Sequence, residues 1–100
     1  MSKFDIILTE NAKSDIIKIK EYIAKDNKTA SKDFVIKLRK TFLNLSAYPR
    51  IGKNRPEFSG NSDILFLPFM TNYLIVYSIF NGKLYIIRIL SNYQNICALL

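Results

Sequence analysis

Three features of this sequence predict an α+β fold with the element order β-α-α-β-β-β. Two amphipathic helical stripes follow one another before Pro49. Runs of β-branched and aromatic residues fill most of residues 64–90. An Asn81-Gly82 pair separates the last two of those runs, the strongest short-range sign of a hairpin. The expected architecture is a helical hairpin packed on one face of a small antiparallel sheet, with the other face open. A chain of 100 residues makes one domain with one modest core, so 1–100 reads as a single unit.

Phe4-Asp5-Ile6-Ile7-Leu8 is the first strand. Thr9 is placed to cap the helix that follows, and Glu10 suits the positive end of its dipole. Ala12, Ile16, Ile19 and Ile23 recur at steps of three and four, giving one apolar stripe from about Glu10 to Lys25. Asp26-Asn27-Lys28 ends this helix, and Thr29 is expected to cap the next. The second stripe is Phe34, Leu38, Phe42 and Leu45. Tyr48-Pro49 stops it, because a residue before proline disfavours the helical region. Pro49 to Asn61 is a loop by composition. Three strands then follow at Ile64–Leu67, Tyr73–Phe80 and Leu84–Leu90. Alternation along the last puts Tyr85, Ile87 and Ile89 on one side, and Leu84, Ile86, Arg88 and Leu90 on the other. Arg88 therefore interrupts an apolar row. It is read either as an arginine paired with a carboxylate or carbonyl, or as part of an anion-binding face. Ser91 to Leu100 is a tail with an apolar end, able to dock as a short helix.

Charge narrows the chemistry. Fifteen Lys and Arg against eight Asp and Glu give +7, and the isoelectric point is near 9.6. Such a balance favours an anionic partner: nucleic acid, an acidic protein or a membrane surface. Between Phe34 and Pro56 lie Lys37, Arg39, Lys40, Arg50, Lys53 and Arg55, with no acid among them. A solvated helix face and loop would give the same block. The lack of interleaved acids favours a bound anion instead. The chain has no histidine, which excludes a Ser-His-Asp triad, a Cys-His pair and a histidine metal site. No metal and no cofactor is expected. The lone Cys97 cannot close an intrachain disulfide and reads as a small hydrophobe in a reducing, cytoplasmic setting. Residues 64–82 carry no charge, but Pro68 and the Thr71-Asn72 pair argue for strands and against a membrane span. Asp5 sits where the apolar core of a signal segment would run.

Several motifs then line up in order. The first helix carries Ala12-Lys13-Ser14-Asp15-Ile16, Ile19 and Tyr22-Ile23-Ala24. The second ends Leu45-Ser46-Ala47-Tyr48-Pro49-Arg50-Ile51-Gly52, followed by Arg55-Pro56-Glu57. The hairpin runs Tyr73-Leu74-Ile75-Val76-Tyr77, Asn81-Gly82, Ile86-Ile87-Arg88-Ile89-Leu90. In this order and spacing they resemble the RelE/ParE superfamily of toxins from bacterial type II toxin–antitoxin modules, and its ParE branch most closely. The resemblance implies a small cytoplasmic toxin neutralised by a cognate antitoxin, which wraps an extended, often acidic segment around it. No membrane partner is expected.

The resemblance leaves the target open. The ParE branch blocks DNA gyrase without cutting nucleic acid. The RelE branch cuts mRNA on the ribosome, which would make this chain an endoribonuclease. Such an enzyme needs a base for the 2′-hydroxyl, cations for the phosphorane charge and an acid for the leaving oxygen. Glu57 would be the base, Arg55 and Arg88 would hold phosphate, and Tyr93 would stack or donate a proton, with Lys53 nearby. Two departures weaken that set. The strand starting at Asn72-Tyr73 lacks the arginine usual in RelE-like members, and Ser91-Asn92-Tyr93-Gln94-Asn95 lacks the histidine, arginine or acid common there. The expectation is therefore a ParE-like inhibitor of gyrase or another topoisomerase that performs no covalent chemistry. Arg50, Lys53, Arg55 and Arg88 would be its anion- or target-binding residues. The mRNA endonuclease is the first alternative, and a non-toxic antitoxin-binding domain is the second.

Overall fold

The computed structural model describes residues 3–54 and 63–91. β1 (Asp5–Leu8) leads directly into α1 (Glu10–Asp26) through Thr9. Thr9 is extended, and its hydroxyl oxygen accepts the Ala12 N–H at 3.2 Å. Its single hydroxyl hydrogen is shared between the carbonyls of Ile86 and Ile87, each 2.9 Å away, so the cap ties the helix start to the sheet.

One residue separates the helices. The Asn27 N–H donates to the Ile23 carbonyl and closes α1, while its side chain accepts the Ala30 N–H at 3.0 Å and opens α2 (Lys28–Ala47). The cap is thus Asn27 and not Thr29. Asn27 has the short side-chain acceptor this position needs, and it lies two residues earlier. α2 ends as expected, with Tyr48 as C-cap before Pro49. The Ser31 hydroxyl donates to the Lys20 carbonyl and fastens the hairpin.

β2 (Lys53–Asn54), β3 (Ile64–Phe69), β4 (Tyr73–Phe80) and β5 (Lys83–Ser91) complete the sheet, in the order β1-β5-β4-β3-β2. Every pairing is antiparallel except β1 with β5, which is parallel. The α+β class holds, and the sheet is mixed because α1 and α2 carry the chain across before β5 pairs with β1. β2 lies inside the segment expected to be loop. It is only two residues long, too short to show a period. β3 runs through Pro68 to Phe69, past the expected end at Leu67. β2 pairs only with Leu65 and Phe66, so at Pro68 β3 is an edge strand, where a missing N–H is tolerated. Asn81 and Gly82 have φ of 51° and 73°, as a type I′ turn requires.

The main core lies between the sheet and the helices. Ala12, Phe34, Leu38 and Leu45 meet Phe69, Ile75, Tyr77, Leu84, Ile86 and Ile89 there. Ile16, Ile19, Ile23 and Phe42 complete the predicted stripes as partly buried neighbours. Phe34 packs edge-on against Phe69 and Tyr73, with ring centroids 5.7 and 5.5 Å away. The second sheet face is not bare. Phe66, Val76 and Leu90 are buried on it, flanked by Ile64, Leu74 and Ile87.

The strict alternation expected along the last strand fails midway. Val76 pairs with Arg88 but Tyr77 pairs with Ile86, so Ile87 is an extra residue in β5. This β-bulge reverses the parity of the residues beyond it. Ile89 therefore joins Leu84 and Ile86 beneath the helices, while Leu90 joins Ile87 on the opposite face.

Candidate functional site

β1 accompanies β5 only as far as Ile86. Beyond that point α1 runs beside the edge of β5, and Asp15 takes over the role of a neighbouring strand. Its Oδ2 accepts the Ile89 N–H at 3.0 Å. The same carboxylate receives the Arg88 guanidinium as a fork: Nε donates to Oδ2 at 2.7 Å and Nη2 to Oδ1 at 3.0 Å. Both side chains are largely shielded, at 18% exposure for Arg88 and 11% for Asp15. Asp15's hydrogen bonds and charge raise the Arg88 pKa above its ordinary value, more than burial lowers it. Arg88 is therefore a permanently charged group with its counter-charge in place. Of its two expected roles, the structure supplies the carboxylate partner.

A second arrangement holds the segment after α2. The Tyr77 side chain is fully buried. Its hydroxyl donates to the Pro49 carbonyl and accepts the Gly52 N–H, both at 2.8 Å. Burial raises the Tyr77 pKa, with the Gly52 bond and the Arg50 charge opposing. Glycine is required at position 52 for space: a Cβ there would lie 2.5 Å from the Tyr77 hydroxyl. This clasp fixes the turn that carries Arg50 and leads into β2 with Lys53, and both of those cations are exposed. Lys37, Arg39 and Lys40 are exposed on α2.

Among the described residues, the expected cations do not form one cluster. Arg50 and Lys53 lie at the β2 end of the sheet. Arg88 is on β5, three strand spacings away, or roughly 14 Å. Arg55, Glu57, Tyr93 and the C-terminal tail lie outside the described residues. Among the described residues no three His, Cys, Asp or Glu side chains group to hold a metal ion. No helix there is long and apolar enough to cross a membrane.

A family model for the ParE toxin of type II toxin–antitoxin systems (parDE) matches residues 6–96. The chain belongs to the ParE toxin family. Among solved structures, it is similar to a chain of the chromosomal ParDE toxin–antitoxin system of P. aeruginosa, with a TM-score of 0.72 and 16% sequence identity. That match covers 89% of this chain and 96% of the other, and at this identity it speaks for the fold alone. No curated protein sequence is similar enough to count as a match.

Within this ParE-family fold, Asp15 is the residue that sequence reasoning missed. The signal was present. Asp15 falls three residues after Ala12 and four before Ile19, on the apolar stripe of α1, and Arg88 falls in an apolar strand. Two opposite charges that each break an apolar pattern are candidates to break it together.

Proposed function

We propose that this ParE-family protein is a toxin that binds and inhibits DNA gyrase or a related topoisomerase and performs no covalent chemistry. We further propose that it is a single toxin domain over residues 1–100, acting in the cytoplasm, with a cognate antitoxin as its neutralising partner. The observation that carries the choice of target is the Asp15–Arg88 fork. An RNA-cleaving site needs a cation free to meet the charge building on the scissile phosphate. The arginine best placed in sequence for that task already has two of its donors on a buried carboxylate. Arg50 and Lys53, exposed on the segment held by Tyr77, suit contact with an anionic target surface, and Arg55 continues that basic run. The acid-free stretch from Phe34 to Asn54 suits the acidic segment of an antitoxin.

The test is a supercoiling assay with purified gyrase, relaxed plasmid and the toxin freed of any co-purifying protein. Inhibition or trapping of cleaved DNA, reversed by the product of an adjacent antitoxin gene, is expected. Unimpaired supercoiling at excess toxin overturns the gyrase reading. Codon-positioned transcript cuts after induction, lost in Arg88→Ala, would establish the mRNA endonuclease in its place.

A further inference from the structure

A groove of about 550 Å³ runs between the middle of α1 and the strand ends beside it, with a volume in the range of small-ligand sites. Its floor is apolar, from Ile19 and Ile89. Lys18 and Tyr22 stand on the α1 wall, with Asn72 and Tyr73 opposite. Tyr22 is 70% exposed, a large ring that contributes little to the core. Tyr73 is held in place by its edge-on contact with Phe34. Burial, and then Tyr22, raise its pKa, so its phenol stays a neutral hydrogen-bond donor. Asp15 also lines the groove, but its charge is balanced by Arg88, which leaves Lys18 as the uncompensated charge among the lining residues.

We propose that this groove holds one unpaired nucleotide of a single-stranded nucleic acid, with its base stacked on Tyr22 and its phosphate on Lys18. Lys18 and Tyr22 are four residues apart, one above the other on the same helix face, about 5–6 Å between their Cβ atoms. A cation and an aromatic ring at that spacing suit the phosphate and base of a single nucleotide. Tyr73 and Asn72 add hydrogen-bonding groups for the base edge. An acidic peptide would use Lys18 but would leave the exposed Tyr22 ring without a role. Stacking on a π-face tolerates any base, so the site selects for unpaired strand and not for sequence. The inference does not rest on gyrase being the target, and its test contains no gyrase.

The experiment is fluorescence anisotropy with a labelled oligothymidylate, its duplex counterpart and a polyglutamate peptide, across a salt series. Tyr22 is exposed on a helix, so Tyr22→Ala keeps the fold, and circular dichroism verifies this. Tyr22→Ala should weaken oligothymidylate binding about tenfold at every salt concentration. Tyr22→Phe should keep the affinity, and Lys18→Ala should lower the salt slope by about 0.7. Lys40→Ala, a control away from the groove, should leave both the slope and the Tyr22 effect unchanged. Duplex binding should be insensitive to Tyr22→Ala, because its bases are already stacked. Oligothymidylate binding that is unchanged in Tyr22→Ala overturns the proposal. So does a loss in Tyr22→Phe as large as that in Tyr22→Ala, or Tyr22-dependent binding of polyglutamate alone.

Discussion

Asp15 holds three donors with two oxygens, in a position where an apolar side chain would suit the helix stripe better. The arrangement is stable because every partner is satisfied, and it is sensitive to single changes for the same reason. Asp15→Ala leaves a shielded guanidinium without its counter-charge and the Ile89 N–H without an acceptor. We expect a loss of ~3 kcal/mol, seen in urea denaturation as a lower midpoint with an unchanged slope. Replacing both members, Asp15→Leu with Arg88→Met, should recover most of that loss. If the double variant is as unstable as Asp15→Ala, the cost lies in the Ile89 N–H and not in the stranded charge.

At the scale of elements, the Tyr77 clasp joins the α2–β2 turn to the centre of the sheet. Tyr77→Phe should cost ~1–3 kcal/mol, because it strands a donor on Gly52 and an acceptor on Pro49. Gly52→Ala should be at least as damaging, since its Cβ would occupy the place of the hydroxyl. Combined, the two changes should cost less than their sum, because the nearest of the three colliding Tyr77 atoms is gone and both changes break the same Gly52–hydroxyl bond, while the ring carbons at 2.8 and 2.9 Å keep part of the clash. Thermal denaturation of the four proteins measures this, and strict additivity would separate the two residues. The elements themselves were largely legible in the sequence. Both helices showed their 3.6-residue stripes, and Asn81-Gly82 marked its turn. The features that stayed hidden depend on distant residues. The two-residue β2 is a strand only because β3 lies beside it. The parallel β1–β5 pairing joins residues 78 positions apart at its ends. The bulge at Ile87 leaves no mark in a run of β-branched residues, where any parity suits the side chains. Of the expected site, Arg88's need for a partner was legible, but its identity was not, since Asp15 lies 73 residues earlier.

For the whole molecule, the absence of histidine sets the pH response. No side chain has an ordinary pKa between about 5 and 8, so stability should be flat across that range. The alkaline limit differs. The Tyr73 and Tyr77 pKa values are raised above 10.0, so the folded state holds their protons more tightly than the unfolded chain does. Their contribution is fully present below the unfolded value of about 10 and is lost as pH rises through the folded values. Melting temperatures should hold from neutral pH to about pH 9 and then fall, and Tyr73→Phe should reduce the fall. A decline that begins near pH 7 would show that other groups govern it.

The position of β5 bears on the order in which this chain is made. β5 sits between β1 and β4, receives the Thr9 cap and holds the partners of Asp15, so it joins β1 and α1 to strands made well after them. While the chain is still being translated, α1, α2 and the β3–β4 pair can form, but the sheet cannot join β1 or cover the α1 stripe fully until β5 has left the ribosome. A toxin built in this way becomes competent only after β5 is made, and a chain cut short before Lys83 has no route to the finished sheet.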